Sequence, residues 1–150
     1  MTDKPSEAGG GKKRILVVDD DATTVGALRQ ILIGKGYEVE TAASAEAALP
    51  LSTQSAWDLF LLDVALPGMS GFELCRTLRE NAKTKDVPVV FLTAKGRLMD
   101  MAEGADAGSD LYLIKPVLGS KLLHMIGLFL TADAPLAKRR GRPEFTEPSA

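Results

Sequence analysis

The chain of 150 residues has a single cysteine, Cys75, so an internal disulfide is excluded and a reducing compartment fits. It has no apolar run of membrane-spanning length. Its opening "MTDKPSEAGGGK" lacks the apolar core of a signal peptide, so a cytoplasmic setting is expected. It also lacks a strong charge of either sign. A formal net charge of -2 excludes wholesale nucleic-acid binding and acidic disorder alike, so partners must be sought in local patches. The length suits one domain.

What is present begins after the tail. Residues 1–12 are rich in Gly, Pro and Ser with nothing to bury, and are expected to be disordered. From Arg14 four aliphatic runs follow one another, "ILVV" (15–18), "LFLL" (59–62), "VVFL" (89–92) and "LYLI" (111–114). Unbroken apolar runs predict strands covered on both faces, whereas "YEVE" (37–40) alternates and predicts an edge. Between the runs lie helical patterns. Val25, Leu28, Ile31 and Leu32 share one face and stop at Gly34 or Gly36. "SAEAALPLS" has a Ser44 cap, and Pro50 predicts either a shortened or distorted helix or an irregularity that the helix tolerates. "GFELCRTLREN" sets Phe72, Leu74, Cys75 and Leu78 against charged neighbours, with Cys75 read as a small helical filler. "RLMDMAEGADAG" is a weaker helix, either mobile or merely irregular, and "GSKLLHMIGLFL" is strongly apolar. Strand and helix alternating five times predict an α/β fold with a doubly wound, five-stranded parallel sheet and helices on both faces.

In such sheets ligands bind outside the carboxyl ends of the strands. Those ends carry Asp19, Asp20 and Asp21 after the first strand, Asp63 after the third, Thr93 after the fourth and Lys115 after the fifth. Gathered on one edge, several carboxylates need a counter-ion, and all-oxygen ligands suit a hard cation such as Mg²⁺ (or Mn²⁺). A lysine and a threonine hydroxyl suit phosphate oxygens. Together these groups permit phosphoryl transfer onto a carboxylate.

The pattern resembles the receiver domain of bacterial two-component response regulators. "ILVVDDD" resembles its acidic-pair segment, "DLFLLDVALPGMSG" its phosphoacceptor loop, "VPVVFLTA" its switch-threonine segment and "AGSDLYLIKP" its lysine segment, in order from about Arg14 to Thr131. The resemblance implies a flavodoxin-like sheet in the order 2-1-3-4-5, a domain over 13–132, and a phosphorylation-dependent signalling switch or phosphorelay component. It makes Asp63 the phosphoacceptor, served by a sensor histidine kinase or a histidine phosphotransfer protein. Asp19, Asp20, Asp63 and the backbone carbonyl of Ala65 become the metal ligands. Thr93 and Tyr112 become the switch pair, and Lys115 pairs with Asp63 before phosphorylation and with a phosphoryl oxygen afterwards. Asp21 is left to start the first helix. The Lys115 to Pro116 peptide bond is expected to be cis. The only catalysis implied is the chain's own Mg-dependent phosphorylation and dephosphorylation. Departures from the family pattern are Ser70 and Leu111, where acidic residues are frequent, and the pair Ala65 and Lys95 flanking the phosphoryl site.

The last helix is apolar around much of its circumference, and Leu122, Ile126 and Phe129 are offered as a surface for a second copy or a partner helix. His124 on that helix is read as a surface residue. Residues 133–150 form a basic tail, expected to be disordered; about 18 residues beyond Ala132 are too few for another domain, so the chain is a stand-alone or an excised receiver. "RGRP" within it, with Arg140 and Arg142, resembles an AT-hook core, which leaves a DNA-associated regulator as the alternative to a solubilising tail. A rival motif, Asp19-x-Asp21-x-Thr23, resembles haloacid-dehalogenase-like phosphatases, but no second acidic pair follows Lys115 and Asp63 would have no role.

Overall fold

The computed structural model describes residues 11–94, 107–115, 117 and 119–130, with residues 144–145 as backbone alone. The elements run β1 (Arg14–Val18), α1 (Ala22–Gly34), β2 (Glu38–Ala42), α2 (Ala45–Gln54), β3 (Leu59–Leu62), α3 (Gly71–Glu80), β4 (Val89–Thr93), β5 (Leu111–Ile114), α4 (Gly119–Leu130) and β6 (Glu144–Phe145). All strands pair in parallel in the order β2-β1-β3-β4-β5-β6. The expected order 2-1-3-4-5 is therefore observed, lengthened by a two-residue strand from the tail that pairs with Leu111 and Tyr112.

The aliphatic runs are unbroken because successive side chains serve opposite layers. Leu16, Val18, Phe60, Leu62, Phe91 and Tyr112 point to one face and pack with Ala45 and Ala48 of α2 and with Phe72, Cys75 and Leu78 of α3. Ile15, Val17, Leu59, Leu61, Val90, Leu92, Leu111 and Leu113 point to the other, against Leu28 and Leu32 of α1 and Leu122, Ile126 and Phe129 of α4. Edge strand β2 has only a partly buried pattern, as its alternation predicts.

That packing corrects the reading of the last helix. Leu122 and Ile126 are 0% exposed and Phe129 3%, so these residues form the core face of α4 and are closed to a partner. The wide apolar arc arises because Leu123 and Met125 also pack, half-buried, at the margin of the same core; Leu128 stays exposed and His124 lies at the surface.

At Pro50 the tolerated irregularity is what is observed, for α2 runs through it to Gln54. Proline at the sixth helical position removes one amide donor and costs about 3 kcal/mol in an ordinary helix interior. Its ring is exposed, and the opposite face, Ala45, Ala48 and Ser52, is fully packed. Ser52 Oγ donates to Leu49 O at 2.6 Å and Thr53 Oγ1 to Pro50 O at 3.4 Å, so hydroxyls of the last turn bond back to carbonyls beside the proline. The expected helix over 97–108 lies mostly outside the described residues, as do Lys95, the peptide bond to Pro116, and the basic segment with Arg140 and Arg142.

The strand starts, opposite the inferred site, carry a buried ion pair. Arg79 Nη2 donates to Asp110 Oδ2 at 3.0 Å, and the same oxygen accepts from Val89 N at 2.9 Å. Arg79 also donates to the carbonyls of Gly108 and Val87, at 2.9 and 2.7 Å, joining the end of α3 to the entries of β4 and β5.

Candidate functional site

Backbone hydrogen bonds just past the strands hold the polar residues in place. Asp19 N donates to Ala42 O at 3.1 Å, Asp63 N to Val18 O at 2.9 Å and Lys115 N to Thr93 O at 2.6 Å. Each residue thus continues the ladder by one step, which converts distance along the chain into proximity at the sheet edge.

One carboxylate oxygen each from Asp19, Asp20 and Asp63 falls within 4.8 Å of the others. Asp19 and Asp63 are buried, at 3% and 8% exposure, while Asp20 faces solvent. Lys115 Nζ enters this cluster at 2.8 Å from Asp19 Oδ2 and 3.7 Å from Asp63 Oδ2. The nearer partner of the lysine is thus Asp19, whereas the resemblance implied Asp63. Burial, and next the charge of Asp19, push the Asp63 carboxyl above its ordinary 3.8, against the pull of Lys115 and of the Ala65 and Val64 amides. Burial pulls Lys115 down, but its bond to Asp19 and the charge of Asp63 outweigh that and leave it raised above 10.5.

Three hard oxygen donors with one cation among them are short of positive charge, and this donor set fits Mg²⁺. Ala65 lies two residues past Asp63, its N–H donating to Asp63 Oδ1 at 3.4 Å, so its loop borders the cluster. The loop closes through Gly71 N, which donates to Val64 O at 2.9 Å; a Cβ at Gly71 would run into the Asp63 carbonyl. Ser70 then caps α3 in a capping box with Glu73, so its departure from the family pattern serves the helix start.

Thr93 ends β4 fully buried, and its Oγ1 has no hydrogen-bond partner among the described residues. An unpaired buried hydroxyl costs about 1–3 kcal/mol, so this one is open to a partner at the strand end. Tyr112 is also fully buried, its ring 5.8 Å from that of Phe91.

Asp21 stays outside the cluster. It caps α1, accepting from Thr23 N at 3.1 Å and Thr24 Oγ1 at 2.8 Å. The Thr24 bond first, then the Thr23 amide, hold its carboxyl below 3.8. The phosphatase-like motif needs Asp21 beside Asp19 at the reacting centre, and its carboxylate is engaged elsewhere. Glu46, by contrast, escaped the sequence reading. Its Oε2 accepts from Met69 N at 3.0 Å across 23 residues, a contact that leaves no local periodic mark.

Comparison with known proteins agrees with this geometry. Residues 15–127 match the family model for the response regulator receiver domain. The transcriptional regulatory protein AfsQ1 of Streptomyces coelicolor is 40% identical over 121 residues, 81% of this chain and 49% of that protein. The chain thus spans about half the length of this curated relative. A CheY-like receiver domain protein from Methanospirillum hungatei superposes with a TM-score of 0.75 at 35% identity, covering 80% of this chain and 94% of that one. The receiver domain of the sensor histidine kinase PA1611 from Pseudomonas aeruginosa gives a TM-score of 0.76 at 25% identity, over 81% of this chain and all of that one; its structure has a magnesium ion coordinated in the active-site cleft.

Proposed function

The chain belongs to the response regulator receiver domain family, and from that premise we propose that it is a signalling switch whose phosphoacceptor is Asp63. The observation carrying this reading is the meeting of the Asp19, Asp20 and Asp63 carboxylates with Lys115 at one edge of the sheet.

An oxygen of Asp63 attacks the phosphorus of a phosphohistidine on a sensor kinase or phosphotransfer protein; the P–N bond breaks and the imidazole leaves. Asp19, Asp20, Asp63 and the Ala65 carbonyl would hold Mg²⁺ or Mn²⁺, which supplies positive charge against the phosphoryl oxygens. Lys115, now shared between Asp19 and Asp63, offers its ammonium to one phosphoryl oxygen, and the unpaired Thr93 hydroxyl donates to another. Phosphorylation adds nearly two negative charges and new acceptors, which biases an existing equilibrium rather than releasing a product. Thr93 and Tyr112, on the adjoining strands β4 and β5, carry that bias away from the site. Hydrolysis by water restores Asp63.

Output through docking on another protein, or relay to a further histidine, belongs to the same proposal, and so does a cytoplasmic setting. Among the described residues no helix is long and apolar enough to cross a membrane. The test is incubation with Mg²⁺ and acetyl phosphate or beryllofluoride. The native chain should be modified on Asp63 or should change its spectrum, and an Asp63→Ala chain should stay folded and do neither. An Asp63→Ala chain that responds like the native one refutes the assignment.

A further inference from the structure

The geometry points to Glu46 as a positioning residue for the phosphoacceptor loop, holding it in the shape that admits the metal. The inference rests on the receiver reading of Asp63, and two observations at one carboxylate oxygen carry it. The first is the 3.0 Å hydrogen bond from Met69 N–H to Glu46 Oε2. The second is the packing at Gly68, where φ is +73° and a Cβ would stand 2.7 Å from that same oxygen. The carboxylate therefore occupies the space next to the loop's tightest turn.

The rest of the loop shows why such a brace matters. Its beginning is tied to the sheet through Asp63 N and Val18 O, and its end to the loop's own start through Gly71 N and Val64 O. The capping box of Ser70 and Glu73 fixes the entry to α3. Between these anchors, Pro67, Gly68 and Met69 form an apex. Among the described residues, the Glu46 bond is the one hydrogen bond joining that apex to another element. Ala65, whose carbonyl is assigned to the metal, lies between the anchored start and the braced apex. Glu46 sits in the first turn of α2, which is packed to the sheet through Ala45 and Ala48; Val64 and Leu66 anchor the loop's first half in the core and Met69 packs partly on it, so the brace transmits the position of a fixed helix to the exposed turn at Pro67 and Gly68. Among the described residues, Glu46 makes no hydrogen bond or ion pair to the carboxylate cluster or to Lys115. Its effect must pass through the backbone of the loop.

The test uses the full chain, Glu46→Ala and Glu46→Gln. Glutamine keeps an acceptor oxygen at the same reach and lacks the charge; alanine lacks both. Without metal, the Met69 amide should exchange with solvent faster in Glu46→Ala and near the native rate in Glu46→Gln. The Mg²⁺ concentration that half-shifts the Asp63 backbone amide signal should rise about 2- to 10-fold in Glu46→Ala, the fold-change of one ordinary hydrogen bond. With acetyl phosphate, the rate at saturating Mg²⁺ should stay within about 2-fold of native, because an interaction that only organises the metal site is lost from affinity and not from the chemical step. Glu46→Gln should follow the native chain in all three. The inference is overturned if Glu46→Ala titrates with Mg²⁺ like the native chain, or if Glu46→Gln falls with it, which would assign the effect to charge. A native chain that takes no phosphoryl group on Asp63 refutes the proposed function alone, while the Met69 exchange and the Mg²⁺ titration still decide the role of Glu46.

Discussion

Replacing Asp63 by Asn should make the metal-free protein more stable at neutral pH, although it removes a buried polar group's charge and an ion-pair contact. Carboxylate oxygens of Asp19 and Asp20 lie within 4.8 Å of that of Asp63. Each such pair of charges repels by about 3.5 kcal/mol at an effective dielectric of about 20, and by about 0.9 kcal/mol at that of water. Lys115, 3.7 Å from Asp63 Oδ2, returns an attraction of about 4.5 or about 1.1 kcal/mol on the same two scales. Repulsion from two carboxylates exceeds attraction to one ammonium on either scale. Asp20 is exposed and partly screened, so the expected gain is about 1–2 kcal/mol, or about 3–8 °C in Tm for a domain of this size. Lys115 keeps its 2.8 Å bond to Asp19 in the variant, so no buried cation is stranded. The pH dependence follows from the raised carboxyl of Asp63, which protonates more readily folded than unfolded. Its contribution is most favourable below the ordinary aspartate value of 3.8 and is fully unfavourable once pH exceeds the folded value. The advantage of Asp63→Asn should therefore be complete at neutral pH and vanish as pH falls toward 3.8. Thermal unfolding in EDTA across this range decides the matter. Equal or lower stability of the variant at neutral pH, or a gain that survives acidification, would refute the electrostatic picture of the site.

Lys115→Met removes the 2.8 Å bond to Asp19 and should lower metal-free stability at neutral pH by about 2 kcal/mol, read by thermal unfolding. Because the pKa of Lys115 is raised, the native pairing is complete below the ordinary lysine value of 10.5 and should be lost as pH climbs through the folded value. Thr93→Val replaces a buried hydroxyl that has no partner among the described residues, so unfolding in urea should show unchanged stability or a gain of up to about 1 kcal/mol. The same variant should lose the change in amide exchange that beryllofluoride produces in the native chain. Arg79→Met takes the guanidinium from the buried Asp110 carboxylate, which keeps its bond from the Val89 amide, and should cost about 3–5 kcal/mol in urea unfolding. Its phosphorylation rate, measured where the variant is still folded, should stay native, because Arg79 works at the strand starts.

The fold was legible where one physical cause acts over consecutive residues. Four unbroken aliphatic runs suggested strands covered on both faces, which they are, and the helical faces of α1 and α3 showed at the expected spacing. Where two causes compete, the pattern was ambiguous. Pro50 weakens a helix locally, but the packed face of Ala45, Ala48 and Ser52 holds α2 together across it, and tertiary packing is invisible to a local rule. On α4 a wide apolar arc suggested a second interface. The sheet and the neighbouring α1 between them absorb most of that arc, and an apolar count cannot tell one broad core contact from two narrow ones. The strand β6 left no pattern, since two residues paired through their backbones need no particular side chains.

The site divides along a similar line. Which residues meet followed from topology, because parallel strands place their carboxyl ends together whatever lies between them. Which of them pair did not follow, for that depends on differences of an ångström. Lys115 bonds Asp19 at 2.8 Å and reaches Asp63 only at 3.7 Å. Asp19 is the more deeply buried carboxylate and spends its other oxygen on the Asp21 amide at 2.9 Å, so it holds the lysine at the cluster's inner side. Asp63, nearer the opening, is left with the weaker share of the cation and a raised pKa. A carboxylate short of positive charge gains most from whatever brings more of it, be it a divalent ion or a proton. Under the proposed function, a phosphoryl group on Asp63 would add negative charge at this same point, so Lys115 should move toward Asp63 as the charge there grows. That transfer needs no new residue, only a change in which of two partners the ammonium favours. In the phosphorylated chain, Lys115 Nζ should therefore sit nearer the group on Asp63 than to Asp19, reversing the present order of 2.8 and 3.7 Å. A beryllofluoride complex in which the lysine keeps its bond to Asp19 would show that the ammonium is a fixed structural counter-ion and takes no part in the switch.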